Sequence, residues 1–269
     1  VILRNSFFYL PKTMNKKILI YQIFTRLYGN TNTTRKPQGT IEENGCGKLN
    51  DFTPTVLKQI RAKGVTHVWY TGVIRHATIT DYTQYGIPRQ HPAVVKGRAG
   101  SPYAIADYYD IDPDLAVDVE KRMDEFEKLV ARTHRAGMKV IIDFVPNHVY
   151  REYRSYFTEE NFYPLGEPLH LPASLHSSYV ENPALATGND VFHAWPSEND
   201  WYDTIKLNYG HRSTWAKMLS VLQFWVGKGV DGFRCDMVEL VPAEFFDWAF
   251  CLLRAVRPDL LFIAEVYGK

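Results

Sequence analysis

Hydrophobic and polar positions change rhythm in a repeating way along this 269-residue chain. Short β-branched or aromatic runs of strand length alternate with longer stretches in which apolar residues recur every three or four positions. The first run, residues 18–24, reads as a strand. Thr53-Pro54 then opens a helix, with Thr as N-cap and Pro in the first turn. Leu57 and Ile60 fall on one face of it, and Gly64 ends it. Residues 65–70 are a second strand, followed by an irregular stretch rich in Tyr, Gly and Pro up to about Pro113. A helix over 116–136, with Met123, Phe126 and Val130 at core spacing, stops at Gly137 and leads into a third strand at 139–145. The rhythm returns with a helix at 212–228 carrying Trp215, Met218, Leu219 and Leu222. A strand at 230–236, a helix at 243–256 and a strand at 260–266 complete it.

Strand–helix alternation predicts an α/β fold with a parallel sheet. Residues 149–210 break the pattern, and a structureless loop of that length is rare inside a compact domain, so they read as an inserted subdomain. Five such strands fit either a doubly wound sheet or most of a (β/α)₈ barrel. No GxGxxG follows any strand, which weakens a dinucleotide-binding sheet. The expected organisation is an extension at 1–13, the first part of a barrel at 14–148, the insertion at 149–210 and the barrel continued at 211–269. Met14 reads as the natural start. The segment after it is too short in apolar residues, and lacks a small-residue cleavage site, to be a signal peptide.

Composition narrows the partners. Lys and Arg number 31 against 30 Asp and Glu, with no basic block, which argues against nucleic acid and anionic membrane. No apolar run approaches the ~18 residues of a membrane span. Cys46, Cys235 and Cys251 are odd in number and scattered, which argues against a disulfide framework or a zinc site. They read as buried small apolar residues in a reducing, cytoplasmic compartment.

The candidate chemistry sits at strand C-terminal ends, where barrel enzymes place their reactive groups. Asp143 and His148 follow the third strand, Arg234 and Asp236 end the fourth, and Glu265 ends the fifth. Arg234 and Asp236, two apart on a strand, leave from the same face. The guanidinium is expected to lower the Asp236 pKa and suit it to be a nucleophile. Glu265 has no cation beside it in sequence, and partial burial is expected to raise its pKa, as a general acid needs. Two carboxylates tuned in opposite directions, ~5 Å apart, are the requirement of retaining glycoside hydrolysis. A structural Arg–Asp pair beside an unrelated Glu265 fits the spacing equally well.

Local sequence distinguishes the two. Asp143-Phe-Val-Pro-Asn-His148, Gly232-Phe-Arg-Cys-Asp236 and Phe262-Ile-Ala-Glu265 resemble, in order, three short motifs of the α-amylase family of glycoside hydrolases. Tyr21-Gln-Ile-Phe24 resembles the family's first strand. Tyr103-Ala-Ile-Ala-Asp107-Tyr108 resembles the segment whose Tyr stacks on the sugar. The resemblance implies Asp236 as nucleophile, Glu265 as acid/base, and Tyr103, His148 and Arg234 around the sugar, with Asp143 supporting His148 and Arg234. The implied substrate is an oligo- or polysaccharide α-glucan, cleaved through a covalent glycosyl-enzyme. Transfer to another sugar and a non-catalytic, amylase-like binding protein remain as alternatives.

Three departures qualify the resemblance. The family's Asn-His-Asp motif of the seventh strand lies beyond the fifth strand, where this sequence stops, so the chain by itself is expected to be inactive. Glu239 and Leu240 stand where members acting inside starch chains often carry Lys-His. Lys206 stands where a carboxylate would help hold Ca²⁺, so no metal site is assigned, Ca²⁺ is only weakly supported, and no cofactor is required.

Overall fold

The structure, a computed structural model, describes residues 17–175 and 178–268; the proposed extension at 1–13 and Met14 lie outside them. The first strand, β1 (Ile20–Phe24), leads through the short helix α1 (Ile41–Asn44) to α2 (Pro54–Ala62) and β2 (His67–Thr71). Thr53 caps α2 by accepting from the Val56 N–H, and Leu57 and Ile60 form its buried face. Two strands then interrupt the expected irregular stretch: β3 (Ile74–His76) pairs antiparallel with β4 (Ile105–Ile111). The register shifts at two points, so there is no clean alternation for a sequence pattern to display.

Helix α3 (Arg122–Arg135) begins six residues later than its apolar spacing implies. The backbone N–H groups of Val117 and Asp118 donate to the Glu125 carboxylate instead of continuing the helix. It feeds β5 (Lys139–Phe144). The following insertion is built on β6 (His148–Tyr150), a small hairpin of β7 (Leu169–His170) and β8 (Val180–Glu181), and β9 (Thr204–Lys206), which returns antiparallel to β6. Arg151, fully buried, ties it together by donating to Thr204 O, Leu185 O and Glu181 Oε2 at 2.7–2.8 Å. Helix α4 (Arg212–Gly227), β10 (Gly232–Cys235), α5 (Ala243–Val256) and β11 (Leu261–Ala264) follow.

Strand order settles the architecture. The sheet runs β1-β2-β5-β10-β11, every neighbour pair parallel, and each strand is added on the same side as the last. A doubly wound sheet reverses direction at a switch point. This one does not, and the described residues form the first five strands of a (β/α)₈ barrel. Val68, Tyr70, Ile142, Phe144 and Phe233 point outward into the layer under the helices and are buried. The opposite face carries Gln22, Trp69, Asp143, Arg234 and Glu265, as the register pairs require.

Of the three free cysteines, Cys235 is buried and Cys46 half-buried, but Cys251 is exposed, against expectation. On α5 the buried stripe is Phe245, Ala249 and Leu253, spaced by four, and position 251 lies across the helix from it. Among the described residues, no helix is long and apolar enough to cross a membrane.

Candidate active site

The register of three adjacent strands places the charged residues together. Arg234 on β10 pairs with Asp143 on β5, and Ile263 on β11 lies beside Arg234, so Glu265 emerges one step further along the same face. Gly232 allows this closeness: a Cβ there would lie 2.6 Å from Leu261 O on β11. Arg234 Nη1 then reaches Asp236 Oδ1 at 2.5 Å and Asp143 Oδ1 at 3.6 Å, while Nη2 contacts Glu265 Oε1. Its guanidinium lies 5.2 Å from the Tyr103 ring centroid and 5.6 Å from that of Trp69.

Backbone geometry finishes the arrangement. Met237 adopts a left-handed conformation, φ 48°, directly after Asp236. That turn aims its N–H at Glu265 Oε2, 3.1 Å away, and Tyr267 donates its hydroxyl to Oε1 at 2.8 Å. Glu239 accepts from the Gly268 N–H at 2.8 Å and so holds the segment after β11. On the other flank, Gly72, also left-handed at φ 76°, donates to Asp143 Oδ2 at 3.1 Å.

These groups open into a cavity of about 360 Å³ whose wall includes Tyr103, His148, Arg234, Asp236 and Glu265. Asp143 stands behind Arg234 rather than in that wall. Tyr108, buried, donates to the carbonyls of Val145 and His148 and so fixes the Tyr103 segment over the end of β5. Asn147 Nδ2 donates to His148 Nδ1 at 3.0 Å, which leaves the proton on Nε2, facing the Tyr103 backbone. Burial holds His148 down at about 4, so it is neutral at pH 7. A second hollow of equal volume, near Arg26, Asn30 and Arg98, has no carboxylate in its wall and offers neither acid nor nucleophile.

The proton balance corrects the expectation drawn from sequence. Burial, reinforced by the Glu265 charge, pushes Asp236 up to about 7 despite Arg234. Glu265 goes the other way. Partial burial raises it, but Tyr267, the Met237 N–H and Arg234 together hold it below the usual carboxylate range. One guanidinium contacts both carboxyls and so holds Asp236 and Glu265 at the same rim. Burial also raises Asp143, to about 6.

A family model for the catalytic domain of alpha amylase matches residues 22–248. The chain belongs to the α-amylase family. It is 25% identical over 231 residues to Maltase A1 of Drosophila melanogaster, an alignment covering 81% of this chain and 34% of that protein. It is 27% identical over 187 residues to an alpha-1,4-glucan:maltose-1-phosphate maltosyltransferase of Mycobacterium tuberculosis, covering 65% and 22%. The crystal structure of an alpha-amylase from Lactobacillus plantarum matches with a TM-score of 0.63 at 26% identity, over 94% of this chain and 45% of that one. The chain thus spans about a third or less of the length of these two curated relatives.

The position that the resemblance ties to Ca²⁺ carries a cation here in place of a carboxylate. Asn147 Oδ1 is buried without a partner, a suitable oxygen, but Lys206 is a cation and pairs with Asp190. One neutral side-chain oxygen, with a lysine in place of a carboxylate, is far from the six to eight oxygens Ca²⁺ takes. Among the described residues, no three His, Cys, Asp or Glu side chains converge on a metal-sized site.

Sequence reasoning missed several wall residues: Lys96, Ser101, Trp201, Asp203 and Tyr267. All sit in loops or at the chain's end region, where no periodicity marks them. Asp203 follows Trp201-Tyr202, and an aromatic pair beside an acid was the one signal available.

Proposed function

We propose that this chain carries the nucleophile and the acid/base of a retaining enzyme acting on α-glucosidic bonds of α-glucans or malto-oligosaccharides. The carrying observation is the pairing of Asp236 and Glu265 at the C-terminal ends of adjacent parallel strands, bridged by Arg234. Between them the two carboxyls hold one proton near neutrality. A glycosidic oxygen seated against Glu265 accepts a hydrogen bond from its protonated form, which favours the proton on Glu265 and leaves Asp236 ionised beside Arg234.

In the first step an Asp236 oxygen bonds to the anomeric carbon as the carbon–oxygen bond to the leaving sugar breaks. Glu265 gives its proton to the departing oxygen. In the second step water or a sugar hydroxyl attacks the same carbon, its proton passes to Glu265, and Asp236 leaves. Water gives hydrolysis and a sugar gives transfer. Tyr103 offers its ring as a platform for the sugar, and His148 contributes a neutral imidazole. Asp143 acts through Arg234.

The test is covalent trapping in the complete natural gene product with a 5-fluoro-α-glucosyl fluoride, followed by peptide mass spectrometry. A 5-fluoroglucosyl adduct on Asp236, formed with loss of the anomeric fluoride and absent in Asp236→Asn, is the expected result. An adduct on another carboxylate overturns the assignment.

A further inference from the structure

Asp203 has no part in the mechanism above, yet it lies in the wall of the same cavity. It is 3% exposed, and its backbone carbonyl is anchored by the Arg151 N–H at 2.9 Å. Its carboxylate is met by its own backbone N–H and by no hydrogen bond from another side chain among the described residues. The nearest cation is Lys96 Nζ at 4.0 Å, the outer limit of an ion pair. Structural pairs elsewhere in this chain are tighter: Arg122 and Arg75 approach Asp110 at 2.6 and 3.1 Å. A buried carboxylate left this loosely met is costly unless something else supplies donors.

The surroundings indicate what that is. Lys96 comes from the loop between β3 and β4, and Asp203 from the insertion between β6 and β9, so the pair spans the place where the two meet. Trp201 and Ser101 flank it in the cavity wall. Electrically, Asp203 answers to burial, Lys96 and Arg151, whereas Asp236 answers to Arg234 and Glu265. The two carboxylates thus keep separate charge partners within one cavity. A carboxylate accepting two hydroxyl protons, an ammonium donating to a hydroxyl oxygen and an indole offering an apolar face match the vicinal hydroxyls and ring face of a pyranose.

We propose that Asp203 and Lys96 are a specificity-determining pair that binds hydroxyls of the sugar chain within the cavity that also holds Asp236 and Glu265. This rests on the functional reading above and adds to it the means by which that part of the chain is held. The pair reads neighbouring hydroxyls as a unit, so losing either member removes most of the contact.

The test is calorimetric binding of maltotriose to the complete gene product carrying Asp236→Asn, which keeps the ligand intact. Asp203→Asn and Lys96→Met are added singly and together, with melting curves for each. The expected result is a loss of affinity of about tenfold or more for each variant, with the double variant losing less than the product of the two. Lys96 is partly exposed, so its variant reports even if Asp203→Asn fails to fold. Affinity within twofold of the parent for Lys96→Met, or for a folded Asp203→Asn, overturns the pair while leaving the catalytic reading intact. A parent that binds no maltotriose overturns the functional reading itself, and the pair with it.

Discussion

Arg234 Nη1 donates to Asp236 Oδ1 at 2.5 Å from only two positions away on the same strand end. The same guanidinium also reaches Glu265 just past the next strand, so one planar group contacts both candidate catalytic carboxyls. Lysine carries the charge but not the fork. Arg234→Lys is expected to lower kcat/KM on a malto-oligosaccharide at least about 100-fold in the complete gene product. Because an ammonium without the fork cannot bond to Asp236 and Glu265 together, Asp236 becomes harder to ionise and the acid limb of the pH–rate profile should move to higher pH.

Asp203 connects stability to pH. Burial raises its folded-state pKa to about 6, above the unfolded value. The folded protein therefore holds this proton more tightly, and stability falls as pH rises from about 4 through about 6, then levels. Asp203→Asn removes that slope. Melting curves should show the variant stabilised at pH 8 relative to the parent, by on the order of 2 kcal/mol, and little changed at pH 4. Identical pH dependence in both proteins would contradict this account.

Arg151 is the internal brace of the insertion. Arg151→Ala leaves the carbonyls of Thr204 and Leu185 without their side-chain donor, and leaves Glu181 with only the longer contact from Arg154 as a charged partner. The expected cost is about 3–5 kcal/mol, seen as a lower denaturant midpoint. Early proteolytic cleavage within residues 151–204 should accompany it.

Gly232 permits the approach of β10 to β11. Gly232→Ala places a methyl group 2.6 Å from Leu261 O and forces the strands apart. A loss of about 2 kcal/mol is expected from thermal melts. Activity should fall by more than stability alone explains, since Asp236 and Glu265 ride on the two strands.

Lys206, paired with Asp190, stands where the family often places a calcium ligand. We expect a chelator such as EDTA to leave the melting temperature unchanged to within about 1 °C. A clear drop, restored by added Ca²⁺, would show that Asn147 has oxygen partners beyond those described.

Much of this was legible in the amino-acid order, because the signals are local. The strand and helix at 18–24 and 243–256 are written in apolar period and terminal residues, and Thr53-Pro54 caps a helix through its nearest neighbours. The three motifs around Asp143, Asp236 and Glu265 identify the family because a barrel brings strand ends to one rim in chain order. Folding in three dimensions decided what depends on distant segments. It set the antiparallel pair β3–β4, whose shifted register hides its period, and the late start of α3, where Glu125 captures the N–H groups of Val117 and Asp118. It also reversed the proton affinities. Sequence puts a cation beside Asp236 and none beside Glu265, but burial depends on everything packed around a group, and Arg234, Met237 and Tyr267 reach Glu265 through space. Asp203 and Lys96, 107 positions apart, meet only because two insertions close over the same cavity.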